Sequence, residues 1–483
     1  MTHKKSLKTL FCKGILIGIF TLFIPGNSIS YAEWDNGWPV RVLETDDQTG
    51  DWKRLQMAGP FLEQQKGIRA LRPGTAIFDN PAVGGQEAHY LYPLWNYYYE
   101  EHNLRWDVFS LMTFDKTWYD GKVKSQRFNI FPVYFAQQTD NPDTSYHGVF
   151  PVSGNVRNYF GADKISWAFF PVSLQVENED QKRYSFPWPF IRWQEGATPQ
   201  TGGGAAWPLV GHFYKQGKYD HQFGGWPFIY SYRDDLDSNT PKLRQAVLPF
   251  YALETGPKKD SLTWIWPFFS HIEGKEEPTY VEDQFLWPLV IKARGKERHI
   301  TQALPFYAYS KLKDREKQWF LWPLMKQTQW NERGLRIDRQ QLLFFLVWRE
   351  KQHSIANPEL APAEKTHVWP LYSYWDNGAG EKQFQFLSPF EVFFPGNRTV
   401  REAYTPLFAL YRYQEKPNGD LYRGFLFNLI IYESTETHAK FSFGPIFETR
   451  KDAEGESFQL FKGLIGYEKK NGKKRLKLLW RNT

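Results

Sequence analysis

The chain has 483 residues, a formal net charge of +7 and an aromatic content of 18%, including 21 Trp and 40 Phe. Hydrophobic residues make up 41% of the sequence, which excludes the composition typical of intrinsically disordered chains. Beyond the N-terminus no apolar run approaches the ~18 residues of a membrane-spanning helix, so we predict no such helix there.

Residues 1–32 have the pattern of a signal peptide for export. Four lysines precede the apolar run at residues 14–24, and Ser30-Tyr31-Ala32 places small residues where a signal peptidase cuts. Removal of the four lysines, with no acidic residue, lowers the net charge from +7 to +3. It also removes Cys12, so the mature chain is expected to contain neither a disulfide nor a cysteine nucleophile. We predict an exported protein of the outer membrane, with the periplasm or the cell surface as the alternative location.

After the signal, residues 33–85 lead into a repeat region at 86–483. The repeat is a large apolar residue, then Pro, then Phe, Leu, Val or Ile, and from Pro132 to Pro323 successive prolines of this motif are 17 to 22 residues apart. Seven repeats begin with Trp, which marks these structural positions: Trp188-Pro189, Trp207-Pro208, Trp226-Pro227, Trp266-Pro267, Trp287-Pro288, Trp322-Pro323 and Trp369-Pro370.

Each repeat is expected to contain extended strands, because proline at this frequency breaks any helical pattern. Polar turn clusters such as 274–278 occur once per period, which favours one strand of about 10 to 12 residues with proline near its centre. Proline removes a hydrogen-bond donor from a strand, however. The alternative is therefore a pair of strands of about six residues, with proline at the start of one of them.

The predicted fold class is all-β: an antiparallel up-and-down meander of about 20 or more strands, built from ~19-residue repeats and closed as a large β-barrel. The signal peptide, the missing cysteines and the aromatic content favour an outer-membrane barrel. In the middle repeats, however, alternate residues on both faces are apolar, as at 264–269. That pattern favours the alternative, a soluble β-repeat sheet or sandwich.

The motifs Gly59-Pro60-Phe61, Tyr92-Pro93-Leu94-Trp95 and Phe131-Pro132-Val133-Tyr134 resemble those of a group of uncharacterised bacterial exported proteins with tandem aromatic-Pro-Leu/Phe repeats. The resemblance covers most of residues 59–480. It implies a repeated β architecture like that of outer-membrane β-barrels, and it transfers no catalytic residue. The final residues 481–483 depart from the terminal aromatic residue typical of such barrels.

The sequence offers no catalytic constellation, cofactor motif or metal-ligand spacing. The ten histidines that follow the signal peptide have no zinc-binding spacing, and Asp235-x-Asp237-x-Asn239 begins like a calcium loop but lacks its glycine and its final acid. Gly202-Gly203-Gly204 is predicted to be a flexible turn. We therefore expect a protein that is not an enzyme and that carries no cofactor.

The expected partner is outer-membrane lipid, and the expected role is a pore or an envelope scaffold. The alternative is a soluble protein that binds glycan or another envelope protein through exposed aromatic residues. A net charge of +3 on an exported chain does not favour nucleic acid. One basic cluster is a candidate contact for anionic lipid: Lys469, Lys470, Lys473, Lys474 and Arg475.

Overall fold

The computed structural model describes residues 35–45, 51–80, 82, 84–394, 396–470, 472–479 and 481–482. The predicted signal peptide at 1–32 lies outside the described residues. The described chain forms one antiparallel sheet of 46 strands, in which each strand between the first and the last pairs with the strand before it and the strand after it. The predicted all-β up-and-down meander is thus confirmed, and the described part of residues 33–85 belongs to the same sheet.

The strands are short, mostly five or six residues, and most are joined to the next by a short turn; the longest connection lies between β37 and β38. In chain order they are β1 (Asp35–Gly37), β2 (Arg41–Thr45), β3 (Trp52–Met57), β4 (Leu62–Gln65), β5 (Ile68–Leu71), β6 (Thr75–Asn80), β7 (Gly85–Tyr90), β8 (Trp95–Glu100), β9 (Asn103–Val108), β10 (Met112–Tyr119), β11 (Lys122–Ile130), β12 (Tyr134–Thr139), β13 (Tyr146–Val149), β14 (Ser153–Tyr159), β15 (Ala162–Ala168), β16 (Ser173–Asn178), β17 (Gln181–Ser185), β18 (Ile191–Gly196), β19 (Thr201–Ala206), β20 (Val210–Lys215), β21 (Tyr219–Gly224), β22 (Ile229–Asp234), β23 (Lys242–Val247), β24 (Tyr251–Thr255), β25 (Lys259–Trp264), β26 (Phe269–Gly274), β27 (Tyr280–Phe285), β28 (Val290–Gly295), β29 (Arg298–Ala303), β30 (Tyr307–Leu312), β31 (Arg315–Phe320), β32 (Met325–Glu332), β33 (Leu335–Leu342), β34 (Val347–Ser354), β35 (Ala363–Val368), β36 (Tyr372–Asp376), β37 (Lys382–Phe386), β38 (Tyr411–Glu415), β39 (Leu421–Phe425), β40 (Ile430–Ser434), β41 (His438–Phe443), β42 (Phe447–Asp452), β43 (Gly455–Leu460), β44 (Ile465–Lys470), β45 (Lys473–Leu478) and β46 (Arg481–Asn482).

The favoured prediction of one long strand per repeat is wrong. The alternative of two strands of about six residues is confirmed in the number and length of the strands, but proline does not start a strand. The proline motif forms the turn between the two strands: Trp226-Pro227 lies between β21 and β22, and the amide of Phe228 donates to the carbonyl of Gly225 at 2.8 Å. In this turn the missing proline N–H removes no bond from the strand ladder, which resolves the objection to proline at a strand centre.

The three consecutive glycines lie within β19 and do not form a turn, contrary to the prediction. Gly203 has a φ of +123°, and a Cβ atom placed on it would lie 2.1 Å from the carbonyl oxygen of His212 on β20. Glycine is therefore required here because two paired strands approach each other closely. In the sequence alone, consecutive glycines with this role look the same as a flexible turn.

The sheet has several small apolar clusters in place of one large core. The best-developed local cluster packs Phe135, Tyr146, Val156 and Trp167 across β12 to β15. Many of the largest fully buried side chains are polar, among them Glu63 and His367. Such small clusters are what a single layer of strands can form, because each face is covered only by neighbouring side chains.

The first strands pack against the last third of the chain. Val42 on β2 contacts Tyr422 and Ile431, and Asp35 on β1 forms an ion pair of 2.5 Å with Lys462. These contacts are made by side chains and join positions that are more than 370 residues apart in the chain.

A short helix in the long turn between β37 and β38 extends this overlap. The helix α1 (Arg398–Ala403) begins at Asn397, whose side chain accepts a hydrogen bond from the amide of Val400. Ala403 packs with Ile68 and Phe78 of β5 and β6. The N-terminal strands are therefore covered by α1 on one face.

No hydrogen-bonded seam closes the sheet among the described residues. There β1 pairs with β2 alone, and β46 pairs with β45 alone. The two ends of the strand ladder are open, so the predicted closure into a β-barrel is not found in the described residues, which agrees with the alternative of an open β-repeat sheet. The sheet returns on itself only through side-chain contacts, both apolar and polar. Within the described ranges, no helix has both the length and the apolar character needed to cross a bilayer.

Candidate functional site

The turns form two rows, one along each end of the strands, and we refer to these two rows as the edges of the sheet. The side chains of the two edges differ sharply in chemistry. In a meander the turns alternate between edges. Turns after odd-numbered strands contain the proline motifs, and we call this side the apolar edge. Turns after even-numbered strands, such as Lys313-Asp314 after β30 and Arg333-Gly334 after β32, form the polar edge. Strands of six residues at about 3.3 Å per residue separate the two edges by roughly 20 Å.

All fourteen residues predicted to mark the repeat lie at the apolar edge. The seven Trp-Pro peptide bonds are cis, and neighbouring turns are joined by backbone hydrogen bonds. For example, the amide of Trp226 donates to the carbonyl of Pro208 at 2.7 Å, and that of Trp322 donates to the carbonyl of Pro305 at 2.6 Å. These bonds order successive turns into a continuous row along the edge.

Aromatic rings extend the same row. The ring of Phe170 lies 5.1 Å from that of Phe150 and 5.2 Å from that of Trp188, and the rings of Trp207 and Trp226 are 5.7 Å apart, all measured between centroids. Contacts at these distances are favourable for aromatic pairs. The residues before proline therefore pack laterally, from one turn to the next.

The residues after proline point outward into solvent. Leu209, Phe250 and Phe306 are 70 to 71% exposed. Similar exposure recurs along the edge, from Val40 near the first strand to Phe461 near the last ones. Soluble monomers rarely expose a contiguous apolar surface of this extent, and such surfaces usually mark contact with a membrane or a partner.

The polar edge carries charged side chains in short-range ion pairs. Examples are Lys124 with Asp140 at 2.8 Å and Lys311 with Glu316 at 2.6 Å. The exceptions include Phe160, which is 88% exposed in the turn after β14, and Leu236 and Leu360, which are 42 and 60% exposed in the turns after β22 and β34. The sheet is thus amphipathic along the direction of its strands: one end of the strands carries the apolar turns, and the other end carries the charged turns.

The basic cluster proposed for anionic lipid lies at the polar edge, in and beside the turn between β44 and β45. Lys470 forms an ion pair with Glu454 at 2.5 Å. The structure therefore places Lys469, Lys470, Lys473, Lys474 and Arg475 at the edge opposite the proline turns, and it does not bring the two predicted features together.

Between the edges, the strands carry polar cross-strand pairs. Glu282 is 3% exposed and accepts two hydrogen bonds from Arg298, and the Arg298 guanidinium lies 4.7 Å from the ring centroid of Tyr280. Glu350 and Arg339 repeat this arrangement at 2.6 Å. These polar side chains of the strands pair with one another, and the exposed apolar surface is formed mainly by the turns of the apolar edge.

The residues screened for catalysis and metal binding have structural surroundings. Asp235 and Asp237 pair with Lys242 and Lys218 at 3.1 and 2.7 Å, as expected of a polar turn. His367 is 1% exposed and hydrogen-bonds Ser373 at 2.7 Å, and burial lowers its pKa to about 4. In the part of the chain that the structure describes, no group of three or more His, Cys, Asp or Glu residues is arranged to hold a metal ion.

The fold and the edge define a class: a single-layer β-meander repeat protein with one apolar turn edge and one charged turn edge. In comparisons with known proteins, no family model matches the chain, and no curated protein is similar to it in sequence. The apolar edge is therefore the feature of the molecule from which we infer a function.

Proposed function

We propose that this protein is a non-enzymatic component of the bacterial cell envelope that attaches to a lipid leaflet, most simply that of the outer membrane, by its apolar edge. The observation that supports the proposal is the concentration of exposed Phe, Leu, Val and Trp in and beside the turns after odd-numbered strands, with only scattered exposed apolar residues at the polar edge. The predicted signal peptide at 1–32 would deliver the chain to the same compartment.

The energetics of the edge favour lipid as its partner. Moving one large apolar side chain fully out of water into lipid is favourable by about 1.5–3 kcal/mol of free energy. Tryptophan rings favour the boundary between headgroups and acyl chains, which suits the residues just before proline. Several turns inserted together therefore give firm attachment even though each reaches only the upper part of the leaflet.

A scaffold lying on the membrane fits the strand dimensions better than a pore crossing it. A transmembrane barrel requires strands of about 9–11 residues, with an apolar outer band about 25 Å tall. Here most strands have five or six residues, and pairs such as Arg298 with Glu282 lie along them. Edge attachment requires only that the turns be apolar.

Lipid also fits better than glycan as the ligand of the exposed aromatic residues. Sugar binding by stacking requires ring faces, whereas many of the outermost residues at the edge are aliphatic, including Val40, Val172 and Leu209. A hydrocarbon layer accepts aliphatic and aromatic side chains equally. The edge also presents many equivalent turns in a row, as an extended planar partner requires.

The test is flotation of the purified protein with vesicles of zwitterionic phosphatidylcholine. We expect the protein to rise with the vesicles and to remain bound in 1 M NaCl, because apolar contacts are not screened by salt. Recovery at the bottom of the gradient, with and without vesicles, would exclude the proposal and favour the soluble alternative.

A further inference from the structure

A polar cavity lies where the N-terminal strands face the C-terminal part of the sheet. Its volume is about 320 Å³, and its walls come from β3, β4, β36, β37, β38 and α1. Arg54, Arg401 and Arg412 are among the lining residues, and Glu63 and Glu402 are the acidic ones. Gln65, Gln383, Gln385 and Gln414 supply further hydrogen-bonding groups.

Glu63 is shared by two arginines. Its Oε2 atom lies 2.9 Å from Arg54 Nη2 and 2.9 Å from Arg72 Nη1, and it also accepts a hydrogen bond from Gln56 at 3.0 Å. One carboxylate therefore compensates two guanidinium groups, and both ion pairs are largely removed from water. These three charged side chains carry a net charge of +1 before Arg412 is counted, and Glu44 is a further carboxylate close enough to Arg54 for the two groups to shift each other's pKa.

Arg412 adds a third guanidinium to this region. It donates one hydrogen bond, from Nη2 to the side-chain oxygen of Gln385 at 2.9 Å. No carboxylate of the described residues lies within ion-pair distance of it. Burial and the nearby charge of Arg54 lower the pKa of Arg412, although an arginine side chain remains charged at any physiological pH.

Other hydrogen-bond donors in this region also lack acceptors. Arg54 Nε and Arg72 Nη2 are buried without a hydrogen-bond partner in the structure. Buried polar groups without partners are rare in native proteins, and each one calls for an explanation such as a bound ion. Arg401 lies on α1, and among the described residues its only ion-pair partner is Glu402. The distance from Arg401 Nε to Glu402 Oε1 is long, at 3.9 Å.

We propose that this cavity binds a small oxyanion, a phosphate or carboxylate group, with Arg412 and Arg54 as the principal donors. The planar guanidinium fork matches both groups, which accept paired hydrogen bonds. The bound anion would contact β3 and β38 together and so join the two parts of the sheet that face each other here. Anion binding is therefore coupled to the stability of the overlap.

The experiment is thermal unfolding of the purified protein at constant ionic strength, with sodium chloride replaced stepwise by inorganic phosphate or by citrate. A specific site raises the unfolding midpoint with a saturable dependence on concentration, because the anion binds the folded state. A rise with phosphate alone assigns a phosphate group, and a rise with citrate alone assigns a carboxylate. The absence of a response to both anions would overturn the proposal.

Two variants separate an anion site from a purely structural role. Arg412→Gln is expected to weaken the response at least tenfold, and without added anion its midpoint is expected to equal or exceed that of the unmodified protein, since a buried uncompensated charge is removed. The matched control is Arg423→Gln on the adjacent strand β39, where the side chain is exposed and the response should persist. Arg401→Gln, with the side chain 49% exposed, provides a second variant of the site that should fold.

A lower midpoint for Arg412→Gln in chloride, combined with an unchanged response to phosphate and citrate, would mean that Arg412 is structural and would refute the site.

Discussion

Asn428 and Gln56 are joined by a hydrogen bond of 2.7 Å between their side-chain amides, although 372 residues separate them in the chain. The hydroxyl of Tyr422 donates to Asn428 Oδ1 at 2.6 Å, and Asn36 Nδ2 donates to the carbonyl of Asn428 at 3.1 Å. This buried network connects β1 and β3 to the turn after β39. It aligns strands that share no ladder.

Asn36 is the most buried member of the network, and its removal should loosen the overlap. The side chain is inaccessible to solvent and donates to the carbonyls of Asn428 and Leu429 and to Ser442 Oγ. In Asn36→Leu these acceptors lose their donor, and we expect a loss of about 2–4 kcal/mol in unfolding free energy. Urea denaturation measures this change. Asn418→Leu, in an exposed turn, should change it by less than about 0.5 kcal/mol.

Glu63→Gln should destabilise the protein by about 3–5 kcal/mol, because Arg54 and Arg72 then lose their shared carboxylate. Burial alone would raise the pKa of Glu63, but the two arginines outweigh it and hold that pKa well below the usual range. The ion pairs therefore stabilise the fold at any pH above the unfolded-state pKa, and the stabilisation is lost as the pH falls further. Glu316→Gln is the control, since its exposed pair with Lys311 should contribute less than about 1 kcal/mol.

Acidification should destabilise the protein through His367 in a separate range. Its folded-state pKa of about 4 lies below the ordinary value near 6.5, so the unfolded chain takes up the proton first as the pH falls. Stability should decline by about 3 kcal/mol between pH 6.5 and pH 4 and should not decline further through this group below pH 4. His367→Gln should flatten the curve of unfolding free energy against pH in this interval.

The control for that measurement is His271, where the sign is reversed. Hydrogen bonds to Asp283 and Glu273 raise the pKa of His271, so its small contribution is present at low pH and is lost as the pH rises. His271→Gln should leave the decline between pH 6.5 and pH 4 in place. An equal flattening in both variants would contradict the assignment to His367.

The apolar edge can be tested by truncating its outermost rings. A variant with Phe228→Ser, Phe250→Ser and Phe306→Ser removes three side chains that are 58 to 70% exposed, so folding should be little affected. We expect binding to phosphatidylcholine vesicles to weaken at least tenfold, measured by flotation against lipid concentration. Phe160→Ser removes a still more exposed ring from the polar edge, and this variant should bind as the unmodified protein does.

The basic cluster at the opposite edge should contribute little to attachment. A variant with Lys469→Gln, Lys473→Gln and Lys474→Gln loses three charges about 20 Å from the apolar edge, well beyond the screening length of about 8 Å in physiological salt. Flotation with vesicles containing phosphatidylglycerol should therefore be unchanged. A clear loss of binding would mean that the polar edge faces the lipid.

The sequence predicts the meander correctly because hydrophobic runs, prolines and polar clusters alternate with a fixed period. It misassigns Trp226-Pro227-Phe228, because turns are normally recognised by polar residues and these are apolar. The two strands flanking this turn are short and only partly buried, so neither stands out from the motif between them. An apolar turn at every second connection is unusual, and it is the property on which the proposed attachment depends.

The arginine cavity could not be predicted in the same way. Arg54 and Glu63 lie on the adjacent strands β3 and β4, whereas Arg412 lies on β38, and no pattern along the chain indicates that positions 54 and 412 face each other. That juxtaposition depends on how far the sheet twists and coils over dozens of strands. Small differences in twist accumulate over such a distance, and local sequence does not specify their sum.

Because successive turns alternate between the two edges, the edge on which a turn lies depends on whether an odd or an even number of strands precedes it. Deleting one complete repeat removes two strands and two turns, so every later proline motif stays on the same side. Deleting a single strand with its turn would transfer all later motifs to the other side and divide the apolar row in two. Chains of this type can therefore lengthen or shorten by whole repeats, whereas the loss of half a repeat would place apolar turns on opposite sides of one sheet.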